Sequence, residues 1–513
     1  MDSFQRLAAG DLVHLAPELT LVISAVLLSV IDLLLPRQRS RSFLGWLTLA
    51  ALIVSAVFTA GDLAALNMVD ARTGTIASSD AVQLLGQSYR VDDFASFMKL
   101  LLLGGTALIV LMSIGSVKPE DIPHVGEYYY LYLPAVLGGM VMASSGDLIT
   151  LFVGLELLSI TSYVLVGIRK KRQETNEASF KYVVMGGISS AIMLYGMSFL
   201  YGISGSTNLG DIQKAVIGAD HSMTPLLYVS FFLLLAGFGF KIAAAPFHTW
   251  VPDVYQGAAS PVTAFLAVVS KGAAFALTFR VLYNLYGTGS SRLTEDVLLS
   301  IGVLAAVTMV VGNVAALRQN NMKRLLAFSG VANTGYLLVP LASNFTMFHY
   351  GNVTELLFYL LAYLLMTIGA IAVLIAVSGD TGNEEISAFA GLYYRAPWTA
   401  VAMVVFLLSL AGLPVTAGFF GKLFILFGTL QTQNYWLPAI MVVTSVISYY
   451  YYFGVIRQMF MRATTDAPVR ASVPQYAAIW LCALMTVLLG LFPHIVLGYL
   501  NQVLSLTQDF FIR

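Results

Sequence analysis

Four ionisable residues lie deep inside apolar stretches of this sequence, where a charge is costly. They are Glu156, Lys241, Lys271 and Lys422. A charged side chain at the centre of a membrane-spanning helix costs ~3 kcal/mol on insertion scales, so each one needs a chemical reason. Chains of amines and carboxylates that exchange protons are typical of proton relays in membrane proteins. The four residues therefore predict a path for protons.

Their positions predict that three of these groups converge at one depth. Lys241 and Lys271 lie about 10 residues, and Glu156 about 12 residues, from the predicted inner ends of their spans. At ~1.5 Å per residue this is ~15–18 Å, half of the ~30 Å hydrocarbon core. Lys422 follows a predicted break in its span and lies nearer the outer side.

A purely structural interpretation pairs Glu156 with Lys241 as a buried ion pair between helices. Such a pair contributes little, because desolvation largely cancels the attraction, and it leaves Lys271 and Lys422 unexplained. In a relay, an ammonium held by a carboxylate would release its proton once that partner moves away, because desolvation favours the neutral amine. We favour the relay.

The stretch FGFKIAAAPFHTWVP, residues 238–252, places a proline five residues after Lys241. Pro246 removes a backbone hydrogen bond, so the sequence predicts a broken helix whose freed carbonyls hold water beside the lysine. His248 follows, and an imidazole titrates near physiological pH. It either passes protons or is a packed, hydrogen-bonded structural residue, and the sequence alone leaves both open.

Three further basic residues, Lys99, Lys181 and Arg280, lie within about two turns of a predicted helix end. A long side chain at such a position reaches the membrane interface with its charge. We expect these three to snorkel or to form structural ion pairs.

The composition indicates that membrane helices must position these residues. The chain has 513 residues, of which 58% are hydrophobic and 11% charged, and its mean hydropathy is +0.81. These values lie far outside the range of soluble domains, and strand-like alternation, which an outer-membrane barrel requires, is absent. The first apolar run is predicted to be a retained helix rather than a cleaved signal peptide. The sequence therefore predicts an all-α integral membrane protein.

Charge and cysteine usage exclude other classes. The formal net charge is zero, so nucleic-acid binding is not predicted. The sequence has a single cysteine, Cys482, and no CxxC motif or His/Cys cluster for haem, iron–sulfur or metal binding. We expect no cofactor on this chain.

Apolar windows bounded by glycine, proline and charge predict fourteen spans in one bundle. Their starts lie near residues 11, 42, 92, 127, 147, 176, 225, 260, 293, 322, 352, 396, 434 and 474. The longest polar connections, 67–91 and 204–224, are too short for a separate domain. With the N-terminus outside, fifteen Lys and Arg residues, Lys323 among them, fall on inward connections and six on outward ones. The positive-inside rule therefore predicts that both termini face outward.

A short internal echo links two spans that are five apart. GFGFK (237–241) and GFFGK (418–422) each share a span with a proline, Pro246 and Pro414 respectively. Spans five apart run in opposite directions, so the echo is consistent with an inverted repeat built around broken helices.

Four segments carry a resemblance to a known family. They are LFVGLELLSITSYVLVG (151–167), KIAAAPFHTWVPDVYQGAASPVTAFLAVVSKGAAFAL (241–277), KRLLAFSGVANTGYLLV (323–339) and AGLPVTAGFFGKLFIL (411–426). The chain resembles the antiporter-like subunits of respiratory complex I, specifically the N-type subunit, over essentially residues 10–500. The PFHxWxPDVYxGAxxPV pattern is highly specific.

The resemblance implies fourteen transmembrane helices with two inverted five-helix repeats, in which helices 7 and 12 are broken. It places N-terminal helices 1–3 in residues 1–126, the first repeat in 127–286, the second in 287–463 and helix 14 in 464–513. It also implies a proton-translocating role coupled to quinone reduction elsewhere in the complex, so the chain would be a non-redox subunit of the enzyme.

The resemblance assigns roles to the residues introduced above. Glu156 and Lys241 match the glutamate and lysine that respond to the neighbouring subunit, Lys271 the central lysine, and Lys422 the lysine that leads outward. The resemblance also favours a role for Lys181 in modulating proton transfer. The sequence departs from the family pattern in SGVANTGY, where Asn333 can hydrogen-bond water but cannot titrate.

Two relatives share the same charged positions. They are the Mrp-type sodium/proton antiporters and the membrane-bound hydrogenases, which remain the alternative, and DVYQGAASPV favours the N-type subunit over both. A small-solute symporter is a weaker third reading. The resemblance further implies that NADH, FMN, iron–sulfur clusters and quinone belong to partner subunits, that the partners are other membrane-arm subunits and the lipid bilayer, and that the chain lies in a bacterial inner membrane.

Overall fold

A computed structural model describes residues 11–36, 40–69, 76–78, 81–220, 222–286, 292–343, 351–379, 382–462 and 468–504. Both chain ends, whose outward orientation the sequence predicts, lie outside these residues. In the described part of the chain, twelve helices are long and apolar enough to cross a membrane. The protein is therefore a multi-pass, all-α membrane protein, as its composition predicts.

Helices follow one another along the whole described chain. The first thirteen are α1 Asp11–His14, α2 Ala16–Leu34, α3 Ser42–Leu66, α4 Asp93–Ser113, α5 Val125–Tyr130, α6 Tyr132–Ala143, α7 Leu148–Val166, α8 Gln173–Ser204, α9 Leu209–Ile217, α10 Thr224–Ile242, α11 Val251–Gly257, α12 Ser260–Ala264 and α13 Lys271–Tyr286. A π-helical turn, Phe265–Ser270, joins α12 to α13, so that these two form one span.

The remaining helices are α14 Arg292–Ala316, α15 Met322–Leu338, α16 Gly351–Ser378, α17 Leu392–Arg395, α18 Pro397–Ala411, α19 Ala417–Gln431, α20 Trp436–Met461, α21 Val473–Leu491 and α22 Pro493–Val503. Two short 3₁₀ helices, Pro340–Ala342 and Ile386–Phe389, lie between them.

Two predicted spans are interrupted and therefore fall outside the twelve long helices. The fourth consists of α5 and α6, which meet at Leu131. The twelfth consists of α18 and α19, and α18 ends at Gly412 with φ +83°. The seventh is also broken, because α10 ends at Ala243 with φ +64° and α11 begins only at Val251. A left-handed residue is a common way to end a helix. The predicted breaks of helices 7 and 12 are confirmed.

The two long polar connections hold structure that the sequence analysis did not predict. In 67–91, β1 Asn67–Val69 pairs antiparallel with β2 Ile76–Ser78, in register from Asn67↔Ser78 to Val69↔Ile76. β3 Val82–Leu84 pairs antiparallel with β4 Tyr89–Val91, in register from Val82↔Val91 to Leu84↔Tyr89. In 204–224, α9 forms a short helix.

The spans at the centre of the bundle are nearly surrounded by protein. The span 260–285 is 100% buried over its most apolar window, that of 322–342 is 94% and that of α16 is 89%, whereas α2 is only 22% buried. Small residues allow membrane helices to approach closely. A Cβ at Gly138 of α6 would lie 2.6 Å from the Gly154 carbonyl oxygen of α7. The central spans carry Lys271 and its neighbours.

Two of the three basic residues near helix ends form buried ion pairs. Arg280 is 0% exposed, and its Nη2 donates to both carboxylate oxygens of Asp92 at 2.9 Å. Lys99 is 1% exposed and lies 2.9 Å from Glu18. Of the two alternatives predicted for these residues, the structural ion pair is confirmed for both, and neither snorkels, because each charge has a buried carboxylate partner.

Candidate functional site

Lys241 and Glu156 come close to each other without forming a direct pair. Lys241 is the second-last residue of α10, and its Nζ donates to the Ser159 hydroxyl at 2.6 Å. Ser159 lies one turn after Glu156 on α7, and therefore on a similar face. Glu156 Oε1 is buried and has no hydrogen-bond partner among the described residues. A hydroxyl thus takes the position that the structural interpretation gave to the carboxylate.

The break after Lys241 is held by side chains from other elements. Trp250 Nε1 donates to the Phe240 carbonyl at 3.1 Å, and the Thr334 hydroxyl donates to the Ile242 carbonyl at 2.7 Å. Two carbonyls freed at the break therefore have protein donors. A carbonyl has two lone pairs, so these donors do not exclude water, and the expectation that freed carbonyls hold water stays a prediction.

Pro246 and His248 both lie within the break. Pro246 is exposed, and His248 is half-buried. The His248 ring packs edge-on near Phe328 with centroids 6.3 Å apart, and its Nδ1 is buried without a hydrogen-bond partner in the described part of the chain. The proton-path and structural roles of His248 both stay predictions.

Lys271 lies at the centre of the bundle, directly after the π-helical turn. It is 2% exposed, and its Nζ donates to the Gly330 carbonyl at 2.9 Å. The Tyr363 ring centroid lies 5.6 Å from the same nitrogen. π-helical turns inside α-helices are frequent at functional sites. The lysine has a neutral oxygen and an aromatic ring as neighbours, which stabilise an ammonium without a counter-charge.

Lys422 reaches back across the break of the twelfth helix. Its Nζ donates to the carbonyls of Leu410 at 2.9 Å and Ala411 at 3.2 Å, the last two residues of α18. The Tyr336 ring centroid lies 4.6 Å away. Carbonyls at a helix C-terminus carry partial negative charge. Pro414 lies within this break, and the freed carbonyls hold the lysine itself.

Helix α15 lies between the two lysines of the second half of the path. Its Gly330 accepts from Lys271, and its Tyr336 covers Lys422. These two positions are six residues apart, or ~9 Å along the helix. Asn333 lies between them and accepts from the Tyr359 hydroxyl at 2.5 Å.

Further hydroxyls and amides continue this polar layer. Ser329 shares a hydrogen bond with Tyr452 at 2.5 Å, and Asn313 binds both Tyr336 at 3.1 Å and Tyr451 at 3.0 Å. Polar side chains thus connect the region of Lys271 with that of Lys422.

Lys181 belongs to a different cluster. Its Nζ contacts Glu177 and Asp253, both at 2.7 Å, and Arg324 contacts the same Asp253 at 2.7 Å. The structure therefore does not bring Lys181 into contact with Lys241. It forms a structural ion pair, one of the two roles predicted for it, and its proposed proton role stays a prediction.

Lys323 is also placed differently from its prediction. Instead of lying in a connection, it is the second residue of α15 and is 0% exposed, 2.6 Å from Glu384. Its ammonium is buried against Glu384 and against the Ala258 carbonyl, which is 2.9 Å away, so Lys323 lies inside the bundle rather than in an exposed connection.

A cavity of about 550 Å³ opens at the end of the bundle that the sequence predicts to face inward. Glu384 lines it and connects it to Lys323. Its other charged lining residues are Lys118, Asp121, Arg169, Arg172 and Arg470. Within the described residues, no three His, Cys, Asp or Glu side chains cluster as a metal site would require.

The sequence analysis missed the neutral partners of the lysines. Ser159, the Gly330 carbonyl and the C-terminal carbonyls of α18 carry no charge and no motif that marks them in advance. It also missed Glu355, a carboxylate in the first turns of α16 that is 9% exposed. A search for acidic residues inside apolar runs would have found it.

Comparisons with known proteins cover most of the chain. Residues 145–448 match a family model described as NADH:quinone oxidoreductase/Mrp antiporter, TM. NADH-quinone oxidoreductase subunit N of Paenibacillus sp. (strain JDR-2) is 51% identical over 100% of both chains.

Solved structures also match. A chain of respiratory complex I from Thermus thermophilus with bound aureothin is 33% identical with a TM-score of 0.77, over 95% of this chain and 100% of that one. A chain of the Mrp complex from Dietzia sp. DQ12-45-1b is 21% identical with a TM-score of 0.79, over 95% and 96%. At that identity, the second match indicates a shared fold alone.

Proposed function

The chain belongs to the family of antiporter-like transmembrane proteins of NADH:quinone oxidoreductases and Mrp antiporters, and we propose that it is the proton-translocating N-type subunit in the membrane arm of a complex I-type NADH:quinone oxidoreductase. Protons would cross it along Glu156, Lys241, Lys271 and Lys422 while quinone is reduced elsewhere in the complex. The chain itself carries no electrons in this proposal.

One observation carries the site assignment: three buried lysines each donate to a neutral oxygen rather than to a carboxylate. The acceptors are the Ser159 hydroxyl, the Gly330 carbonyl, and the Leu410 and Ala411 carbonyls. A hydroxyl or carbonyl accepts a hydrogen bond from a neutral amine as well as from an ammonium. Loss of the proton would therefore leave no buried carboxylate unpaired, which is the costly outcome in an ion pair.

The first step belongs to Glu156 and Lys241. Glu156 lies one turn from the Ser159 hydroxyl that holds Lys241, and within the described part of the chain its Oε1 has no hydrogen-bond partner. A small movement of α7 against the end of α10 would bring the carboxylate to the ammonium or take it away. This is how a neighbouring subunit would change the charge state of Lys241.

The later steps run through the second half of the bundle. Lys271 would pass its proton along the polar layer of α15 to Lys422, which then releases it on the predicted outer side. The hydroxyls and amides of that layer would order a chain of water along which the proton moves, one O–H bond forming as the next one breaks. Asn333 would hydrogen-bond this chain without titrating. The cavity lined by Glu384 is the inner access that we propose.

The organisation implied by the family is part of this proposal. The repeats span residues 127–286 and 287–463, after helices 1–3 in 1–126 and before helix 14 in 464–513. Other membrane-arm subunits are the partners, and NADH, FMN, iron–sulfur clusters and quinone bind elsewhere in the complex. The chain lies in a bacterial inner membrane with both termini outside.

The alternative is sodium/proton exchange without redox coupling, as in an Mrp-type antiporter, or the equivalent subunit of a membrane-bound hydrogenase. The 51% identity to a relative named NADH-quinone oxidoreductase subunit N, over its full length, supports the complex I assignment.

The test is NADH-driven proton uptake by inverted membrane vesicles from wild type and from Lys241→Ala. Lys214→Ala is the matched control, because its side chain is 72% exposed. With assembly confirmed on a blue-native gel, Lys241→Ala should lose uptake and slow NADH:quinone turnover, and the control should retain both. Unchanged uptake and turnover in Lys241→Ala, with sodium/proton exchange that needs no NADH, would overturn the proposal.

A further inference from the structure

Glu355 is a buried carboxylate that the proposed path does not use. It lies on α16, four residues after the helix begins, and is 9% exposed. In the described part of the chain it has neither a salt bridge nor a hydrogen bond. A buried acidic group without a partner is costly and marks a functional position in membrane proteins.

Glycines on α19 make room for this carboxylate. A Cβ at Gly428 would overlap both Glu355 carboxylate oxygens, and a Cβ at Gly421, two turns earlier, would overlap the Tyr359 ring. Gly421 is adjacent to Lys422 on the same helix. Antiparallel α16 and α19 therefore approach closely along this line, and Glu355 lies ~9 Å beyond Lys422 along α19.

The same face of α16 leads back to the central lysine. Tyr363, Tyr359 and Glu355 are spaced four residues apart, which places them on one stripe of the helix. The Tyr363 ring lies 5.6 Å from Lys271 Nζ, and the Tyr359 hydroxyl donates to Asn333. The stripe runs from Lys271 towards the end of the bundle where α16 begins, which the sequence predicts to face outward.

We propose that Glu355 is the outward proton acceptor of this subunit, the group to which Lys422 gives its proton before release. In this step an N–H bond of the Lys422 ammonium breaks and an O–H bond forms on the Glu355 carboxylate, through intervening water, with no change of oxidation state. The carboxyl group then releases the proton to outer water. This inference rests on the proposed function and identifies the last protein group on its proton path, which we call the exit.

The experiment uses the whole complex in proteoliposomes and measures proton uptake together with NADH:quinone turnover. Glu355→Gln keeps the shape of the side chain and removes its proton exchange, and Glu355→Asp keeps the carboxylate. Glu295→Gln is the matched control, because Glu295 is an exposed carboxylate in the first turn of α14, on the same predicted side.

We expect Glu355→Gln to lower uptake and turnover together by about tenfold, the factor given by ~1.4 kcal/mol. Glu355→Asp should recover most of the activity, and Glu295→Gln should behave as wild type. A merely structural glutamate would be replaced by glutamine without loss, and that result would overturn the proposal. If Lys271→Ala then still abolished uptake, only the exit would be wrong, whereas full uptake in Lys271→Ala as well would overturn the proposed function.

A second variant tests the position without touching the carboxylate. Gly428→Ala forces Glu355 to move, whereas Gly454→Ala on α20 meets no atom within 4 Å. We expect slower uptake in the first and wild-type uptake in the second. This pair also decides the matter if Glu355→Gln does not assemble, and equal uptake in both would contradict the exit.

Discussion

At the scale of single residues, the site depends on which oxygen each lysine contacts. A lysine next to a carboxylate is held as an ammonium, whereas a lysine next to a hydroxyl or carbonyl keeps a partner in both protonation states. Lys241 lies at the boundary between these cases, because Ser159 holds it while Glu156 is one turn away. We therefore expect Ser159 to control how readily Lys241 pairs with Glu156.

Replacing Ser159 should slow the coupled reaction. In Ser159→Ala the Lys241 ammonium loses its acceptor, a loss of ~1–3 kcal/mol for a buried group, and should turn to Glu156. That pair must then separate in every cycle, so we expect NADH:quinone turnover to fall by about tenfold, measured in membranes.

Ser162→Ala is the control, because the Ser162 hydroxyl is buried one turn further along α7 and makes no hydrogen bond to any residue that the structure describes. Its turnover should match wild type. Equal turnover in Ser159→Ala and Ser162→Ala would mean that the hydroxyl does not govern Lys241.

The sequence predicted the lysines but not their partners. An ionisable residue in an apolar run is visible because it is costly there. A backbone carbonyl becomes the acceptor for a lysine only through the way the helices pack, as the Leu410 and Ala411 carbonyls do for Lys422. Such partners depend on tertiary geometry and cannot be inferred from residue type.

At the scale of helices, each of the two breaks lies next to a lysine of the proposed path, but the order of lysine and break along the chain is reversed. Lys241 precedes its break and ends α10, whereas Lys422 follows its break and reaches back to the end of α18. Prolines predicted the positions of both breaks. The donors that satisfy the first, Trp250 and Thr334, come from elements after the break and could not be assigned from the sequence.

The buried pair between α4 and α13 should be important for assembly and not for transport. Asp92 is the N-cap of α4, accepting from the Ala95 amide at 2.7 Å, and also pairs with Arg280. Asp92→Asn removes the negative charge that Arg280 contacts, and breaking a buried ion pair costs ~3–5 kcal/mol. We expect a lower melting temperature and less assembled complex, with unchanged uptake per assembled complex.

Asp147→Asn provides the comparison for this variant. Asp147 caps α7 by accepting from the Thr150 amide at 2.6 Å, so the same substitution there tests the cap without a buried arginine. Its melting temperature should fall less. An equal fall in both variants would show that the ion pair with Arg280 adds nothing beyond the cap.

At the scale of the whole molecule, composition predicted the membrane bundle but not the structure of the connections between its helices. Twelve of the predicted spans coincide with helices that, in the described part of the chain, are long and apolar enough to cross a membrane, because a bilayer demands long apolar helices. The strands in 67–91 and α9 were missed, since short polar segments carry little periodic signal.

The single cysteine makes the orientation of the bundle measurable. Cys482 is 0% exposed, so a membrane-impermeant maleimide should leave the wild type unlabelled. Lys214→Cys should be labelled in intact cells, and Lys171→Cys, between α7 and α8, only in inverted vesicles. The reverse labelling pattern would mean that the bundle has the opposite orientation in the membrane, so that the inner and outer ends of the proposed path are exchanged.

The most direct test of the relay measures proton uptake and NADH oxidation side by side by the purified complex in proteoliposomes, compared between wild type and Lys271→Ala. Lys271 is the central buried lysine, 2.9 Å from the Gly330 carbonyl, and every proton on the proposed path passes through it. The relay predicts that Lys271→Ala loses proton uptake and coupled turnover together while the complex stays assembled. Wild-type uptake per NADH at full turnover in Lys271→Ala would contradict it.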